Sequence, residues 1–483
     1  MKKLELFIGG ERRPAEGNRS FKKLDPFTEA HLCDVPDASV ADARAAVDAA
    51  AAAFPAWSAL PPSRRRAVLA KASELLAARA KELSGMVATE IGSPKPWGDF
   101  NCMLAANMIS EAAAVAYATT GETIPSDVPG CVSVAVRQPA GVILAIAPWN
   151  APVILAVRSI AVPLVCGNTV VLKASETAPQ AQYLLGEIFE QAGLPPGVLN
   201  IVSTGRENAA AVTEALIAHP ATRRLNFTGS SHVGRAIAEA AGRHLKPVLL
   251  ELGGKAPFVV LDDADLEEAA NAASFGSFMN QGQICMSTDR IVVDRAVSKA
   301  FVEKLADRAR KLRAGDPKTP DTQIGALISK DAVRRMSELV ADAVANGATV
   351  VAGGQSDGAV FKPTVVSGVT PKMRIYQEEI FGPLVAVVEV NGEAEAISVA
   401  NDTSYGLSAA VFGRDAGRAF RVAQQLETGM CHINSATVHD EPQVPFGGVK
   451  DSGWGRFGGR AGIEEFTELR WITIQTQSRH YPI

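Results

Sequence analysis

The chain has 483 residues, 47% of them hydrophobic and 21% charged, and its 48 Lys+Arg against 52 Asp+Glu leave a formal net charge of −4. That length exceeds one compact core, so two or three domains are expected, with the composition of an ordinary soluble globular protein. The charge balance gives nucleic acid or an anionic membrane no electrostatic footing.

The most apolar stretch, 141–172, is broken by Pro148, Asn150, Pro152, Arg158 and Pro163, so no segment reads as a membrane span. The opening MKKLELFIGGERR has only a short apolar part, interrupted by Glu5, and does not read as a signal peptide; a cytoplasmic protein is expected. The six cysteines (Cys33, Cys102, Cys131, Cys166, Cys285 and Cys431) form no CxxC pair, and the seven histidines do not cluster. Free thiols and no metal site are expected.

In chain order, the Ala/Leu-rich stretches 41–53 and 64–90 predict helices. From about 138 the texture changes. The runs GVILAIAP, NTVVLKAS, GVLNIVS and RRLNFTGS predict strands, alternating with helices such as APQAQYLLGEIFEQAGL, which Gly193 and the following prolines stop. After 251 the alternation restarts with PFVVLDD, DRIVVD, a helix near 295–313, LVAVVEV and SAAVFG. Two α/β units with parallel sheets follow, and ligand sites in such sheets lie at the carboxyl ends of strands. CVSVAVRQP (131–139) and the terminal FTELRWITIQTQSRHYPI alternate with period two and predict strands outside the main sheets, available to another element or subunit.

Five segments could carry chemistry. Cys285 in NQGQIC lies among small and amide residues. A free cysteine is usually a small core residue, but these neighbours are polar for a core, and a thiolate nucleophile needs exposure and backbone amides nearby. Glu251 in LLELGGKAP follows an apolar run, where a carboxylate has a raised pKa that suits a general base; a surface glutamate at a turn is the commoner case. Asn150 in APWNAP stands between prolines that fix its amide as an oxyanion donor, or it marks a plain turn. VVLKASE offers Lys173 and Glu176 at a strand end, suited to a ribose and phosphate. In NFTGSSHVG, Gly229 and Gly234 frame a helix start whose N–H groups could meet a pyrophosphate, although the spacing is not GxGxxG.

Taken in order, PWN (148–150), KASE (173–176), FTGS (227–230), ELGGK (251–255), QGQIC (281–285), EEIFGP (378–383), YGLSAAV (405–411) and PFGGVKDSGWGR (445–456) resemble the aldehyde dehydrogenase superfamily over nearly the whole chain. The resemblance implies an α/β fold with two Rossmann-type open-sheet domains and a small β arm. Residues 1–119 and 140–250 would bind cofactor, 251–450 would be catalytic, and 120–139 with 467–483 would form a bridging and oligomerisation arm. It implies Cys285 as nucleophile, Asn150 as oxyanion donor and Glu251 as the base that activates water. The cofactor would be NAD, with NADP less favoured, held by Trp149, Lys173, Ser175, Glu176, Thr228, Gly229, Ser230, Val233, Gly253, Glu379 and Phe381. A homodimer or homotetramer is implied, with a small-molecule aldehyde as substrate and neither nucleic acid nor membrane as partner.

Substrate choice would lie with Trp97, Ile154, Arg158, Met279, Met286 and the 437–446 segment with Phe446, mostly apolar. RQPAGVILAIAPWNAPV, VPLVCGNTVVLKASE, QGQICMSTDR and RHYPI look like bacterial salicylaldehyde, benzaldehyde and vanillin dehydrogenases, so an aromatic aldehyde is expected. Arg158 leaves alternatives open: a carboxylate grip as in succinate-semialdehyde dehydrogenases, a phenolic oxygen facing it, or a structural ion pair. Two departures stand out. Ser159 replaces a lysine common in relatives, and Phe457 replaces an acid; both are relay positions, which leaves Glu251 as the main base. An acylating, coenzyme A-dependent enzyme usually lacks that glutamate, and a structural protein on this fold would be expected to have lost some of the catalytic residues.

Overall fold

The computed structural model describes residues 2–483. The expected α/β alternation forms two large open sheets. In the first, the parallel strands run Val248–Glu251, Thr222–Thr228, Val142–Ile146, Thr169–Lys173 and Leu199–Val202 across the sheet. Chain order reverses beside Val142–Ile146, and that reversal opens a crevice at the carboxyl ends. PWN, KASE, FTGS and ELGG all begin where these strands end. The strands are buried on both faces, as parallel strands with helices above and below must be.

The second sheet runs Thr364–Ser367, Leu384–Val390, Thr288–Asp294, Ala256–Val260, Ser408–Phe412 and Met430–Ile433 in parallel, with Thr349–Ala352 antiparallel at one edge. A third sheet joins Glu122–Ile124, Cys131–Pro139 and Thr467–Gln475, the last two paired over nine residues from Thr467↔Pro139 to Gln475↔Cys131. Leu469, Trp471, Ile472 and Ile474 lie exposed on it. No helix among the described residues is long and apolar enough to cross a membrane.

Local chemistry sets the helix ends. Val40–Ser58 begins with a capping box in which Ser39 and Asp42 satisfy each other's backbone N–H groups. The stretch 64–90 is two helices, Pro62–Ala78 and Ala80–Ile91. They break at Arg79, whose φ of −96° and ψ of 11° leave the helical region while its guanidinium pairs with Glu82 and Glu187. Gly193 ends the helix Pro179–Gln191 at a φ of 88°, a conformation only glycine adopts without strain.

Candidate active site

The sheets place Cys285 between two cavities. One, of about 300 Å³, is bounded by Trp149, Thr228, Gly229, Ser230, Glu251, Gly253, Glu379 and Phe381. The other, of about 420 Å³, is bounded by Trp97, Ile154, Arg158, Met279, Met286 and Phe446. Asn150, Leu155 and Cys285 line both. Cys285 is partly accessible, whereas Cys33, Cys102 and Cys166 are buried.

The loop before Cys285 is held under strain. Asn280, Gln281 and Gly282 are successive left-handed residues with φ of 49°, 55° and 68°. Two of them carry side chains that disfavour this region, so surrounding bonds must hold them there. Gln281 Nε2 donates to the Ala326 carbonyl at 3.1 Å, Gln283 Oε1 accepts from the Ile328 N–H at 3.0 Å, and the Ser287 hydroxyl donates to the Gly282 carbonyl at 3.0 Å. A Cβ at Gly282 would collide with the Gly382 carbonyl in the EEIFGP loop. The amides in QGQIC are therefore buried braces.

Asn150 is fixed from both ends. Its carbonyl accepts from the Trp97 indole at 2.9 Å and from Asn280 Nδ2 at 3.1 Å, and its own Nδ2 donates to the Gln283 carbonyl at 3.0 Å. An amide NH2 has two protons, so one remains for a ligand. The Cys285 backbone N–H has no acceptor among the described residues. Two donors thus remain beside the sulfur. One buried glutamine joins the PWN and KASE loops: Gln182 Nε2 donates to the Pro148 carbonyl at 2.9 Å while its Oε1 accepts from the Ser175 N–H at 2.7 Å.

Glu251 ends its strand 1% exposed, and neither carboxylate oxygen has a hydrogen-bond partner. Burial pushes its pKa up to about 7. Burial, and next the negative charge of Glu251, push the Cys285 thiol well above its ordinary value. The thiol is therefore protonated at rest, with a carboxylate nearby to take the proton. The glycines of ELGG make this crowding possible. A Cβ on Gly254 would overlap the Cys285 carbonyl oxygen, and one on Gly253 would lie 2.8 Å from Glu379 Oε2. Gly254 N–H donates to Glu379 Oε1 at 3.0 Å, and burial pushes Glu379 up to about 7. Ser452, in the PFGGVKDSGWGR segment, clamps the turn through its hydroxyl to the Gly253 carbonyl at 2.6 Å.

Trp149 also borders a third cavity, with Lys23, Glu176 and Arg206 on its wall. Phe381, at a φ of 53°, meets Trp149 edge-on at 5.8 Å. Lys173 and Ser175 are buried, and neither lines any of the three cavities. Burial lowers the Lys173 pKa. Ser230 caps the helix Ser231–Arg243, accepting from Val233 N–H, and the Val233 side chain is exposed away from these cavities. Gly229 and Gly234 frame the start of that helix, as expected; a Cβ on Gly234 would collide with Leu252, so it also serves close packing.

All six residues expected in the substrate pocket line the second cavity. So do Phe100 and Phe275, which sequence reasoning did not single out, and Asp440, which lies in the expected 437–446 segment. Phe100 was within reach: it follows Trp97 by one helical turn and stacks on it at 5.6 Å. The two relay positions are structural. The Ser159 hydroxyl donates to the Ala156 carbonyl at 2.7 Å, and Phe457 is buried against Phe466.

The sequence pattern of the Aldehyde dehydrogenase family matches residues 13–472. A vanillin dehydrogenase of Pseudomonas fluorescens is 55% identical over 478 residues, 99% of each chain. A crystal structure of a salicylaldehyde dehydrogenase from Pseudomonas putida G7, complexed with salicylaldehyde, superposes with a TM-score of 0.98 at 45% identity, covering 100% of both chains. That of PnpE from a Pseudomonas, in complex with nicotinamide adenine dinucleotide, does so with a TM-score of 0.95 at 33% identity, covering 99% of each. Family pattern, relatives and fold agree along the whole chain, and on that ground it belongs to the aldehyde dehydrogenase family, as an aldehyde-oxidising enzyme that uses NAD(P).

Proposed function

We propose that the enzyme oxidises aromatic aldehydes to carboxylic acids with NAD, through a thioester on Cys285. The observation that carries this reading is the position of Cys285 on the wall shared by two cavities, one rimmed by Trp149, Gly253 and Glu379, the other walled mostly by aromatic and apolar side chains. Relatives named for vanillin and salicylaldehyde support the aromatic substrate.

The aldehyde enters from the aromatic side. As the Cys285 sulfur bonds to its carbonyl carbon, the thiol proton passes to Glu251. The free Asn150 amide proton and the Cys285 backbone N–H hold the oxyanion of the thiohemiacetal. When bound, the dinucleotide supplies a hydride acceptor. Cys285 then carries the acyl group as a thioester. Once Glu251 has released the thiol proton to solvent, it takes a proton from water, whose oxygen bonds to the acyl carbon, and the thiolate leaves.

The site fits the dinucleotide. Gly253 leaves room where a Cβ would press on Glu379, whose carboxylate is anchored by Gly254 and suits a ribose hydroxyl. Glu176 suits the hydroxyls of the second ribose and repels a 2′-phosphate. The expected kcat/KM with NAD exceeds that with NADP by roughly tenfold or more, and Glu176→Gln narrows the gap. Equal initial rates at equal concentration contradict this.

Glu251 must be ionised to accept a proton, and its pKa is near 7. The expected kcat/KM therefore rises with pH through about 7. A profile flat from about pH 5 to 9 would remove a buried carboxylate from the rate-setting chemistry. The aromatic substrate itself is tested by NADH formation from salicylaldehyde, benzaldehyde, vanillin and succinic semialdehyde. Aromatic aldehydes are expected to lead by roughly tenfold or more in kcat/KM, about 1.4 kcal/mol of transition-state preference; a lead for succinic semialdehyde overturns it.

The third sheet supports a homo-oligomer. Its exposed apolar side chains, Leu469 and Trp471 on one face of the strand and Ile472 and Ile474 on the other, suit a second copy of the chain.

A further inference from the structure

Apart from Asn150, Cys285, Ser435 and His439, the substrate cavity is apolar except at one place. There Arg158, on the helix Pro152–Val165, forms an ion pair with Asp440. The two side chains are 6% and 7% exposed, and the guanidinium lies over the Phe446 ring, 4.0 Å from its centroid. A lone buried guanidinium would call for an anionic substrate group. Asp440 cancels that charge, so a carboxylate entering the cavity gains little against the cost of leaving water.

The pair is not saturated. Asp440 Oδ1 is buried and accepts no hydrogen bond, although a carboxylate offers several acceptor positions and a buried polar atom left unpaired is costly. Arg158 and Asp440 line the same cavity as Cys285. A substrate whose carbonyl carbon reaches the sulfur has its ring in that space. We propose that Asp440 is a specificity-determining residue whose Oδ1 accepts a hydrogen bond from a hydroxyl on the ring of the substrate. This deepens the aromatic reading and rests on it. Arg158 is a positioning residue here: it holds the carboxylate and is itself held against Phe446. The preferred class is then hydroxylated aromatic aldehydes, and not carboxylated ones.

The difference between donor and acceptor supplies the test. A ring hydroxyl can donate to Asp440. A ring methoxy group cannot, although it can accept from Arg158. The experiment compares kcat/KM for benzaldehyde and for its hydroxy and methoxy derivatives at each ring position, at a pH below the phenol's own pKa. It uses the wild type, Asp440→Asn and Asp440→Leu. At one ring position the hydroxy compound is expected to exceed both its methoxy partner and benzaldehyde by roughly tenfold or more. That ratio falls partway in Asp440→Asn, which keeps a weaker acceptor, and to near one in Asp440→Leu. Each ratio is internal to one preparation, so a partly folded variant still reports it. A ratio near one in the wild type at every position, or one unchanged by the substitutions, overturns the role of Asp440. If all aromatic aldehydes lose to succinic semialdehyde, the aromatic reading beneath it fails instead.

Discussion

Glu251→Gln is expected to lower steady-state turnover by roughly 10²–10⁴-fold, the span that a positioned general base contributes. The fold should survive the change. Both carboxylate oxygens of Glu251 are buried without partners, so the neutral amide is similar in size and removes the cost of burying a charge. The informative readout is the first turnover. If Glu251 mainly activates water, thiohemiacetal formation and oxidation continue, and the variant releases a burst of NADH near one per active site before it stalls. A slow burst with the same amplitude shows that Glu251 also accepts the thiol proton, as the coupling between the two groups implies. Undiminished turnover would remove Glu251 from the mechanism.

Cys285→Ala is expected to abolish both burst and turnover while cofactor binding persists. No other cysteine can substitute. Cys33, Cys102 and Cys166 are buried, Cys131 lies on the third sheet, and Cys431 lies in a strand of the second sheet. The cavity side chains lose only one sulfur, so stability should change little beside the loss of activity. Residual turnover above about 1% of wild type would mean that another group attacks the carbonyl, since removing a nucleophile that forms the covalent intermediate leaves only binding and oxyanion stabilisation.

Much of the fold was legible because parallel strands buried on both faces are continuous apolar runs and glycine marks their turns. Val142–Ile146, Thr169–Lys173 and Ala256–Val260 follow the expected stretches closely. The motif residues at the strand ends were legible too, because crowding dictates their identity. Gly254 must be glycine to let the Cys285 carbonyl approach, and Gly253 to admit Glu379. The rest depended on partners distant in sequence. Within 64–90 the break at Arg79 has only Glu82 as a local partner; its other partner, Glu187, is 108 residues away. Asp440 could not be singled out from its own segment, because its meaning comes from Arg158, 282 residues earlier. Arg158 itself read as a possible carboxylate grip for the same reason: alone it is a cation, and with Asp440 it is a neutral pair. The packing role of Gly234 was likewise hidden, because Leu252, which fills the space beside it, comes from the next strand's end.

The central claim is that Cys285 carries the acyl group of an aromatic aldehyde between the two cavities. The most direct test is mass spectrometry of the Glu251→Gln enzyme quenched in acid after mixing with NAD and benzaldehyde. The account predicts a benzoyl adduct near one per subunit, confined to the peptide containing Cys285. An unmodified Cys285 peptide after a full burst of NADH, or an adduct on another residue, would contradict it.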